Sequence, residues 1–374
     1  MSEGDFRRST LMPAASRFEA PNRRAVLRGA ASFAAMGAAF GLASGLPLKA
    51  LAQQGSNQGP ATRSLPANVP ALKGTRIVLL GTLGGPGVDM RRAETGSVVL
   101  VDGTPYLIDC GYGTVRDLVA CGLGYTKIST AFFSHLHNDH TLDLPALLSL
   151  QWTSNKTSAT NIYGPYGTEA MVKGALEFFE GDVGIRVADE GRTIDPKTHF
   201  LGHDLKATSK PAEVFKDDKV MVSSIENAHF PDRSKAHMPY RSLAYRFDTK
   251  TRSIVFSGDT AYTDNLVALA KGADVLVSEI MSDAIYDQME KLNKAAAARG
   301  NPNNIWRHVA ETHSRPEDVG RTARLAGVKT VVLNHLLPGG TKEGKLNFPV
   351  STFIDGVRKE FDGEVIVGND LMVI

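Results

Sequence analysis

The chain has 374 residues, with 42 lysines and arginines against 40 aspartates and glutamates, 42% hydrophobic residues and two cysteines. These values are ordinary for a folded protein and exclude a disordered, collagen-like or disulfide-stapled chain. The formal net charge of +2 provides no overall field for holding a polyanion, so the composition argues against a nucleic acid partner.

The first 52 residues have the pattern of an export signal. Arg23 and Arg24 precede an uncharged, alanine- and glycine-rich stretch at 29–46, and Ala50-Leu51-Ala52 is a typical cleavage pattern. This resembles a twin-arginine signal, which implies export of the folded protein to the periplasm. A membrane span is the alternative, but the weak hydropathy of the stretch favours cleavage over a stable anchor. Cleavage would remove seven basic and three acidic residues and change the net charge to −2.

Residues 53–73 predict a flexible leader and residues 74–374 a single domain. Apolar runs between polar turns predict strands at 76–80, 97–101, 106–108, 130–133, 161–163, 220–225, 242–247, 253–256, 275–278, 330–333 and 364–367. Helical patterns lie at 143–150, 167–179, 263–270, 315–326 and 350–361. This alternation favours two mixed sheets covered by helices.

Two stretches of this domain, 182–215 and 284–311, are interpreted as insertions outside the scaffold. Long connections of this kind serve as lids or partner surfaces, and the second is a candidate homodimer surface. We expect Cys110 and Cys121 to be small buried side chains, with a disulfide between them as the alternative in an oxidising compartment.

The segment 134–140 (Ser-His-Leu-His-Asn-Asp-His) concentrates the chemistry directly after a predicted strand. Three imidazoles and a carboxylate within six residues cannot all be core side chains. Strand alternation would put His135 and His137 on one side, and a turn would bring Asp139 and His140 to a neighbouring point. This arrangement suits two adjacent cations better than one. The alternative is a polar surface loop.

The pattern His-x-His-x-Asp-His resembles the signature of the metallo-β-lactamase fold, which implies an α/β, four-layer αββα sandwich. His229, Asp259 and His335 match further motifs in order, each at the end of an apolar run. The resemblance implies one metal ion held by His135, His137 and His229, a second held by Asp139, His140 and His335, and Asp259 as the bridge. Two divalent ions are implied, with zinc preferred and manganese or iron as alternatives. Such a pair can share a water and lower its pKa.

The chain resembles the branch of this fold that contains ribonuclease Z and bacterial arylsulfatases. In that branch the aspartate of a Gly-Asp-Thr motif bridges the two metal ions, and the matching residue of this chain is Asp259 in Gly258-Asp259-Thr260. In that branch a glutamate and a histidine form a proton relay, so Glu279 and His313 are candidate catalytic residues together with Asp139. A surface ion pair is the alternative for Glu279, and a helix-start role is the alternative for His313. The other histidines are expected to face solvent: His199, His203, His237 and His308.

The resemblance implies a periplasmic, dinuclear, metal-dependent hydrolase of a small ester, an aryl sulfate or a phosphodiester, attacked by a bridging hydroxide. A lactone or carboxylic-ester hydrolase is the main alternative, and a non-catalytic metal- or ligand-binding protein is another. Ribonuclease Z is cytoplasmic and holds tRNA with a basic arm rich in glycine and proline. The export signal, the acidic mature chain and the lack of an obvious basic arm make RNA the weaker substrate hypothesis.

Overall fold

The structure, a computed structural model, describes residues 69–342, 345–346 and 349–374. The predicted export signal at 1–52 and most of the predicted leader lie outside the described residues. Within the described part of the chain, no helix has the length and apolar character needed to cross a membrane.

Two sheets form the centre of the described chain. The six-stranded sheet runs in the order β1-β2-β3-β4-β5-β6, and the seven-stranded sheet runs in the order β15-β12-β11-β10-β9-β8-β7. The first contains β1 (Thr75–Gly81), β2 (Gly96–Val101), β3 (Thr104–Ile108), β4 (Thr130–Phe132), β5 (Thr160–Pro165) and β6 (Phe200–Leu205). The second contains β7 (Ala212–Lys216), β8 (Val220–Glu226), β9 (Leu243–Thr249), β10 (Ser253–Phe256), β11 (Val275–Met281), β12 (Thr330–Leu337) and β15 (Glu364–Val367). The short strands β13 (Thr341–Lys342) and β14 (Lys345–Leu346) pair with each other.

The helices follow the strands along the chain. They are α1 (Thr114–Ala120), α2 (Asn138–Thr141), α3 (Leu144–Thr153), α4 (Thr168–Phe178), α5 (Glu180–Glu190), α6 (Asp232–Lys235), α7 (Asp264–Ala270), α8 (Asp283–Ala298), α9 (Ile305–Thr312), α10 (Pro316–Ala326) and α11 (Ser351–Val357). Single turns of 3-10 helix occur at Val69–Ala71, Tyr125–Lys127 and Pro196–Thr198.

The layers follow from the alternation of side chains along the strands. Between the sheets, Val99 and Phe132 of the first sheet pack with Val222 and Tyr245 of the second. The residues that alternate with these on the first sheet pack against α1, α3 and α4, while their counterparts on the second sheet pack against α7, α10 and α11. Each sheet is therefore buried on both faces, and the predicted four-layer αββα sandwich is confirmed.

The segment 182–215 was expected to be an insertion, and this prediction is wrong. It carries β6 and β7, which form one edge of each sheet. Edge strands are half exposed and tolerate polar residues, so the hydrophobic period that identifies inner strands is weak in this segment. Cys110 and Cys121 are both buried and free.

The segment 284–311 forms a helical hairpin, α8 and α9, that packs on a small core of its own. Its buried members are Met281, Ile285, Met289, Ala310 and Leu337. The hairpin lies next to the strand ends of β11 and β12, because Met281 and Leu337 are their last residues. It therefore brings residues of α9 close to the carboxyl-terminal ends of strands β11 and β12.

Candidate metal centre

The strand directions bring the candidate ligands together. In the second sheet β8 and β10 are both antiparallel to β9, and β10, β11 and β12 are parallel. The carboxyl ends of these four strands therefore share one edge, where ligand sites of open sheets typically lie. His229 and Asp259 come just after β8 and β10, while Glu279 and His335 lie near the ends of β11 and β12. The loop that follows β4 of the first sheet supplies the remaining ligands.

His135, His137 and His229 form a first group of three imidazoles. The Nε2 atom of His135 lies 3.0 Å from Nδ1 of His137, and Nε2 of His229 lies 3.1 Å from the same Nδ1. β4 ends at Phe132, so irregular backbone rather than the predicted strand alternation orients His135 and His137. Three ring nitrogens thus point at one another.

The protonation of the first group fits a cation. Burial lowers the pKa of His135, His137 and His229, and neighbouring imidazoles lower it further. These rings are therefore held neutral, and a neutral imidazole offers a lone pair to a metal ion. Three convergent lone pairs would repel one another without a cation between them, so this group matches three protein ligands of a zinc site.

Asp139, His140, Asp259 and His335 form a second group. Nε2 of His335 lies 3.3 Å from Oδ2 of Asp139 and 3.1 Å from Oδ2 of Asp259. Nε2 of His140 lies 3.3 Å from Oδ1 of Asp259. The Asp259 carboxylate also approaches the first group, since its Oδ2 lies 3.9 Å from Nε2 of both His135 and His229. It is therefore placed to serve both groups.

The second group combines opposite charges. Burial lowers the pKa of His335, but the charge of Asp259 and hydrogen bonds with both carboxylates outweigh this and raise it to about 10. Burial raises the pKa of Asp139, but His140 and His335 outweigh it and lower it to about 2. Nε2 of His140 and Oδ1 of Asp259 are buried and make no hydrogen bond with described residues. Ionised carboxylates beside a buried imidazole nitrogen that lacks a hydrogen-bond partner form a set of ligand atoms that fits a second divalent cation.

Asp109 supports the second group from outside. Its Oδ2 accepts a hydrogen bond from Nδ1 of His140 at 2.9 Å, and its Oδ1 accepts one from the backbone N–H of Ser134 at 2.7 Å. Asp109 adopts a left-handed φ of 56° directly after β3. A carboxylate that holds the far nitrogen of a ligating histidine fixes the ring orientation and leaves Nε2 as the ligand atom.

Replacing Asp109 by asparagine is expected to weaken binding of one of the two metal ions by about 10–100-fold, the usual effect of losing such an outer partner. Elemental analysis after titration with a competing chelator measures this effect. Asp217→Asn is the matched control, because Asp217 accepts a hydrogen bond from Tyr106 elsewhere in the sandwich at 2.6 Å. Equal metal affinity in the two variants would contradict the role of Asp109.

Glu279 and His313 form a buried pair next to both groups. Oε2 of Glu279 accepts a hydrogen bond from Nδ1 of His313 at 3.1 Å, and Oε1 accepts from the backbone N–H groups of Thr260 and Ser314 at 2.8 and 3.1 Å. Glu279 is 2% exposed, which removes the alternative of a surface ion pair. Burial lowers the pKa of His313, but the charge of Glu279 and their hydrogen bond outweigh it and raise it.

Three features of this site were missed by the sequence reasoning. The backbone N–H of Gly85 donates to Oδ2 of Asp139 at 3.1 Å. The Phe230 ring packs against His137 and His229, with centroids 5.5 and 4.9 Å apart. His308 was expected to face solvent, which is wrong, because its ring centroid lies 5.0 Å from that of His229. Phe230 could have been noticed because it directly follows the candidate ligand His229, whereas no feature of the sequence around His308 indicates a role in the site.

The segment that follows His229, residues 231–241, carries a cluster of ion pairs. Arg233 pairs with Glu311, which lies two residues before His313. Lys235 and Arg241 approach the carboxylate of Glu226, at 2.8 and 3.6 Å. The basic side chains beside the candidate centre are therefore largely neutralised by neighbouring carboxylates.

A cavity of about 710 Å³ lies between α4, α5 and β6 and contains none of the candidate ligands.

Residues 104–336 match the model of a β-lactamase superfamily domain. The chain therefore belongs to the β-lactamase superfamily and is a hydrolase with the metallo-β-lactamase fold. This family typically binds two divalent metal ions, and the two groups described above fit that number.

The chain is also similar to characterised members of the superfamily. It is 30% identical over 300 residues to ribonuclease Z of Mycobacterium bovis, covering 79% of this chain and 96% of that enzyme. It is 31% identical over 266 residues to ribonuclease Z of Mycolicibacterium gilvum, covering 70% and 84%. Human tRNase Z, short form, shares the fold with a TM-score of 0.56 and 22% identity, covering 80% of this chain and 98% of that one. The protein YhfI of Bacillus subtilis gives a TM-score of 0.55 and 19% identity, covering 80% and 99%.

The expectation that argued against a nucleic acid partner is wrong, because the relatives are ribonucleases. Net charge averages over the whole chain, whereas a phosphate group responds to the charge within about 10 Å, the Debye length at 0.1 M salt. A pair of divalent cations held by the two ligand groups would supply that local charge. A near-neutral chain is therefore compatible with an RNA partner.

Proposed function

We propose that this protein is a metal-dependent phosphodiesterase whose active site is the edge formed by the two ligand groups and the Glu279–His313 pair. The observation that carries the proposal is the position of Asp259 between both groups, with a buried, carboxylate-oriented histidine beside them. An arrangement of two cations that share one carboxylate, with a proton donor at one side, is suited to in-line displacement at phosphorus.

The bound cations would neutralise the charge of the phosphodiester and lower the pKa of a shared water, which makes that water a nucleophile at neutral pH. His135, His137 and His229 would hold one ion, and Asp139, His140 and His335 the other. Phe230 covers the imidazoles of the first group with an apolar ring and limits access of bulk water.

His313 is assigned the proton transfer. Glu279 accepts the Nδ1 hydrogen, which leaves Nε2 as the atom that can serve the leaving group. As the water oxygen bonds to phosphorus, the bond from phosphorus to the leaving oxygen breaks, and the proton that water loses passes to the solvent, from which His313 is later reprotonated. The leaving oxygen then takes up the proton of His313 Nε2. An aryl sulfate has a comparable leaving oxygen, so kinship with ribonuclease Z is what favours the phosphodiester.

Two exposed tyrosines favour a phosphodiester that carries a flat ring. Tyr166 and Tyr240 are 55% and 44% exposed, with ring centroids 6.1 Å apart. They lie beside Leu136, since a Cβ atom on Gly167 would come within 2.9 Å of both the Leu136 and Tyr240 side chains. Leu136 separates two candidate ligands in the sequence. Aromatic faces beside a phosphate site stack on nucleobases or aryl groups.

A substrate panel tests the proposal on the metal-loaded protein. We expect hydrolysis of bis(p-nitrophenyl) phosphate and of an RNA, and slower or no hydrolysis of p-nitrophenyl sulfate and an aryl lactone. A salt series on the RNA reports how much of its binding depends on phosphate contacts. Turnover of the sulfate or the lactone without turnover of either phosphodiester would overturn the assignment, as would inertness toward all four.

Replacing His313 by alanine is expected to lower kcat by about 10²–10⁴-fold for RNA, whose ribose leaving group needs a proton. The loss should be much smaller for bis(p-nitrophenyl) phosphate, because p-nitrophenolate leaves without protonation. His203→Ala is the matched control, since His203 stacks on Tyr163 with centroids 4.6 Å apart, outside the candidate centre. The same loss on both substrates would argue against a proton-donor role.

In this proposal residues 1–52 act as a twin-arginine signal, so that the folded hydrolase works in the periplasm. The support is the sequence around Arg23 and Arg24 and the cleavage pattern at Ala50-Leu51-Ala52. The compartment would then decide which phosphodiesters the enzyme meets.

A further inference from the structure

His308 is the histidine of the centre that neither the ligand groups nor the proton transfer uses. It lies on α9, whose N-cap residue, Asn304, accepts a hydrogen bond through its side-chain Oδ1 from the backbone N–H of Arg307 at 3.0 Å. Its ring centroid lies 5.0 Å from that of His229, 5.7 Å from that of His137 and 6.2 Å from that of His313. The half-buried His308 ring therefore faces the first ligand group and the proton donor together.

The nitrogen atoms show what His308 can bind. One ring nitrogen each of His229, His308 and His313 lie within 4.8 Å of one another. A third metal site at this point would need a nitrogen of His229. Its Nδ1, however, lies 3.3 Å from the carbonyl oxygen of Thr312, and its Nε2 lies 3.1 Å from Nδ1 of His137. Both nitrogens of His229 are therefore committed, and His308 is left without a complete set of partners for a cation.

The ring nitrogens of His308 make no hydrogen bond to the residues that the structure describes, although the side chain is half buried. Any imidazole carries at least one N–H, whichever tautomer it adopts. The ring nitrogens of His308 are not among the fully buried atoms that lack a partner, so this N–H is open to solvent and to a group bound in the site. The acceptor that the site would bring within reach is an oxygen of a bound anion. A donor at this position would hold that oxygen from the side of the first ligand group, because the His308 ring faces the rings of His229 and His137.

We propose that His308 is a substrate-binding residue whose imidazole N–H donates a hydrogen bond to an oxygen of the scissile phosphodiester. This inference rests on the proposed phosphodiesterase function and extends it to the hairpin of α8 and α9. The hairpin has its own core, and the ion pair of Arg233 with Glu311 ties α9 to the segment after His229. The hairpin thus places one substrate contact over a centre that the sheets build.

The test compares His308→Ala with Ile305→Ala, a matched change on the same helix at a side chain that is 44% exposed. Metal content, the Kd of inorganic phosphate by calorimetry and the kinetics on bis(p-nitrophenyl) phosphate are measured on each metal-loaded protein. We expect His308→Ala to keep two metal ions, to bind phosphate about tenfold or more weakly, as for a lost hydrogen bond to a charged group, and to raise KM. Ile305→Ala should match the parent protein.

His308→Asn supplies a second measurement, because its amide keeps a donor and should restore part of the phosphate affinity. An unchanged phosphate Kd in His308→Ala, or a loss of bound metal in that variant, would overturn the proposal, the latter by making His308 a ligand. The two hypotheses fail separately. If the protein binds phosphate through His308 but cleaves no phosphodiester, the contact is supported and the proposed function fails. If the protein cleaves phosphodiesters and His308→Ala leaves KM and the phosphate Kd unchanged, the proposed function is supported and the His308 contact fails.

Discussion

Asp259→Ala is expected to abolish turnover, with a loss beyond the ~10–100-fold that outer partners of a metal site typically contribute. The reason is its position: Oδ1 lies 3.3 Å from Nε2 of His140, and Oδ2 lies 3.1 Å from Nε2 of His335 and 3.9 Å from Nε2 of His135. Without this carboxylate two cations would repel each other at short range with no shared anion between them. Metal content should fall from two ions per chain to one or fewer.

The measurement is elemental analysis of the purified variant together with turnover of bis(p-nitrophenyl) phosphate. Asp362→Ala, at an exposed aspartate in the loop after α11, is the control and should keep both metal ions and full activity. Circular dichroism separates loss of metal from loss of fold. An Asp259→Ala protein that retains two ions and full turnover would refute the bridging role.

Gly84→Ala is expected to damage the centre although Gly84 bears no side chain. A Cβ atom there would lie 2.7 Å from Nδ1 of His335 and 2.8 Å from its carbonyl oxygen. His335 has little freedom to move away, since it adopts a left-handed φ of 42° and the next residue, Leu336, donates its N–H to Thr82 at 2.9 Å. We expect a stability loss of about 1–3 kcal/mol from overpacking and an activity loss of about a hundredfold from displaced geometry.

Gly87→Ala is the matched control, three residues further along the same loop, where a Cβ atom would meet nothing within 4 Å. Its stability should stay within about 0.5 kcal/mol of the parent, as for ordinary surface changes. Thermal unfolding and metal content of both variants check the comparison. Equal behaviour of the two glycine variants would show that His335 does not depend on the close approach of the 81–85 loop.

The fold was accessible from the sequence wherever strands are buried on both faces. Runs such as 254–256 and 275–277 are continuously apolar because helices cover one face of the sheet and the other sheet covers the second. The pattern failed at β6 and β7, where Leu201 and Glu213 face solvent at the sheet edges. A strand with one open side does not need an apolar run.

The candidate ligands could also be found from the sequence, because polar residues at the ends of apolar strands match known motifs in order. The distances between their side chains could not be found from the sequence. Asp109 follows β3 and Phe230 follows His229, but their roles depend on the histidine rings that the fold places against them. The net charge of the whole chain gave the wrong expectation for a nucleic acid partner. Local composition carries residue identity, but it does not carry spatial proximity.

The sequence by itself determined the family, the two sheets covered by helices and the residue types of the two candidate ligand groups, since these follow from motif order, from alternation and from polar residues at strand ends. Only the tertiary structure decided that Gly84 packs against His335, that Asp109 holds His140, and that α9 brings His308 to the imidazoles. The physical reason is that each of these contacts joins segments far apart in the chain. Their meeting is fixed by how sheets and helices pack, not by the residues next to them.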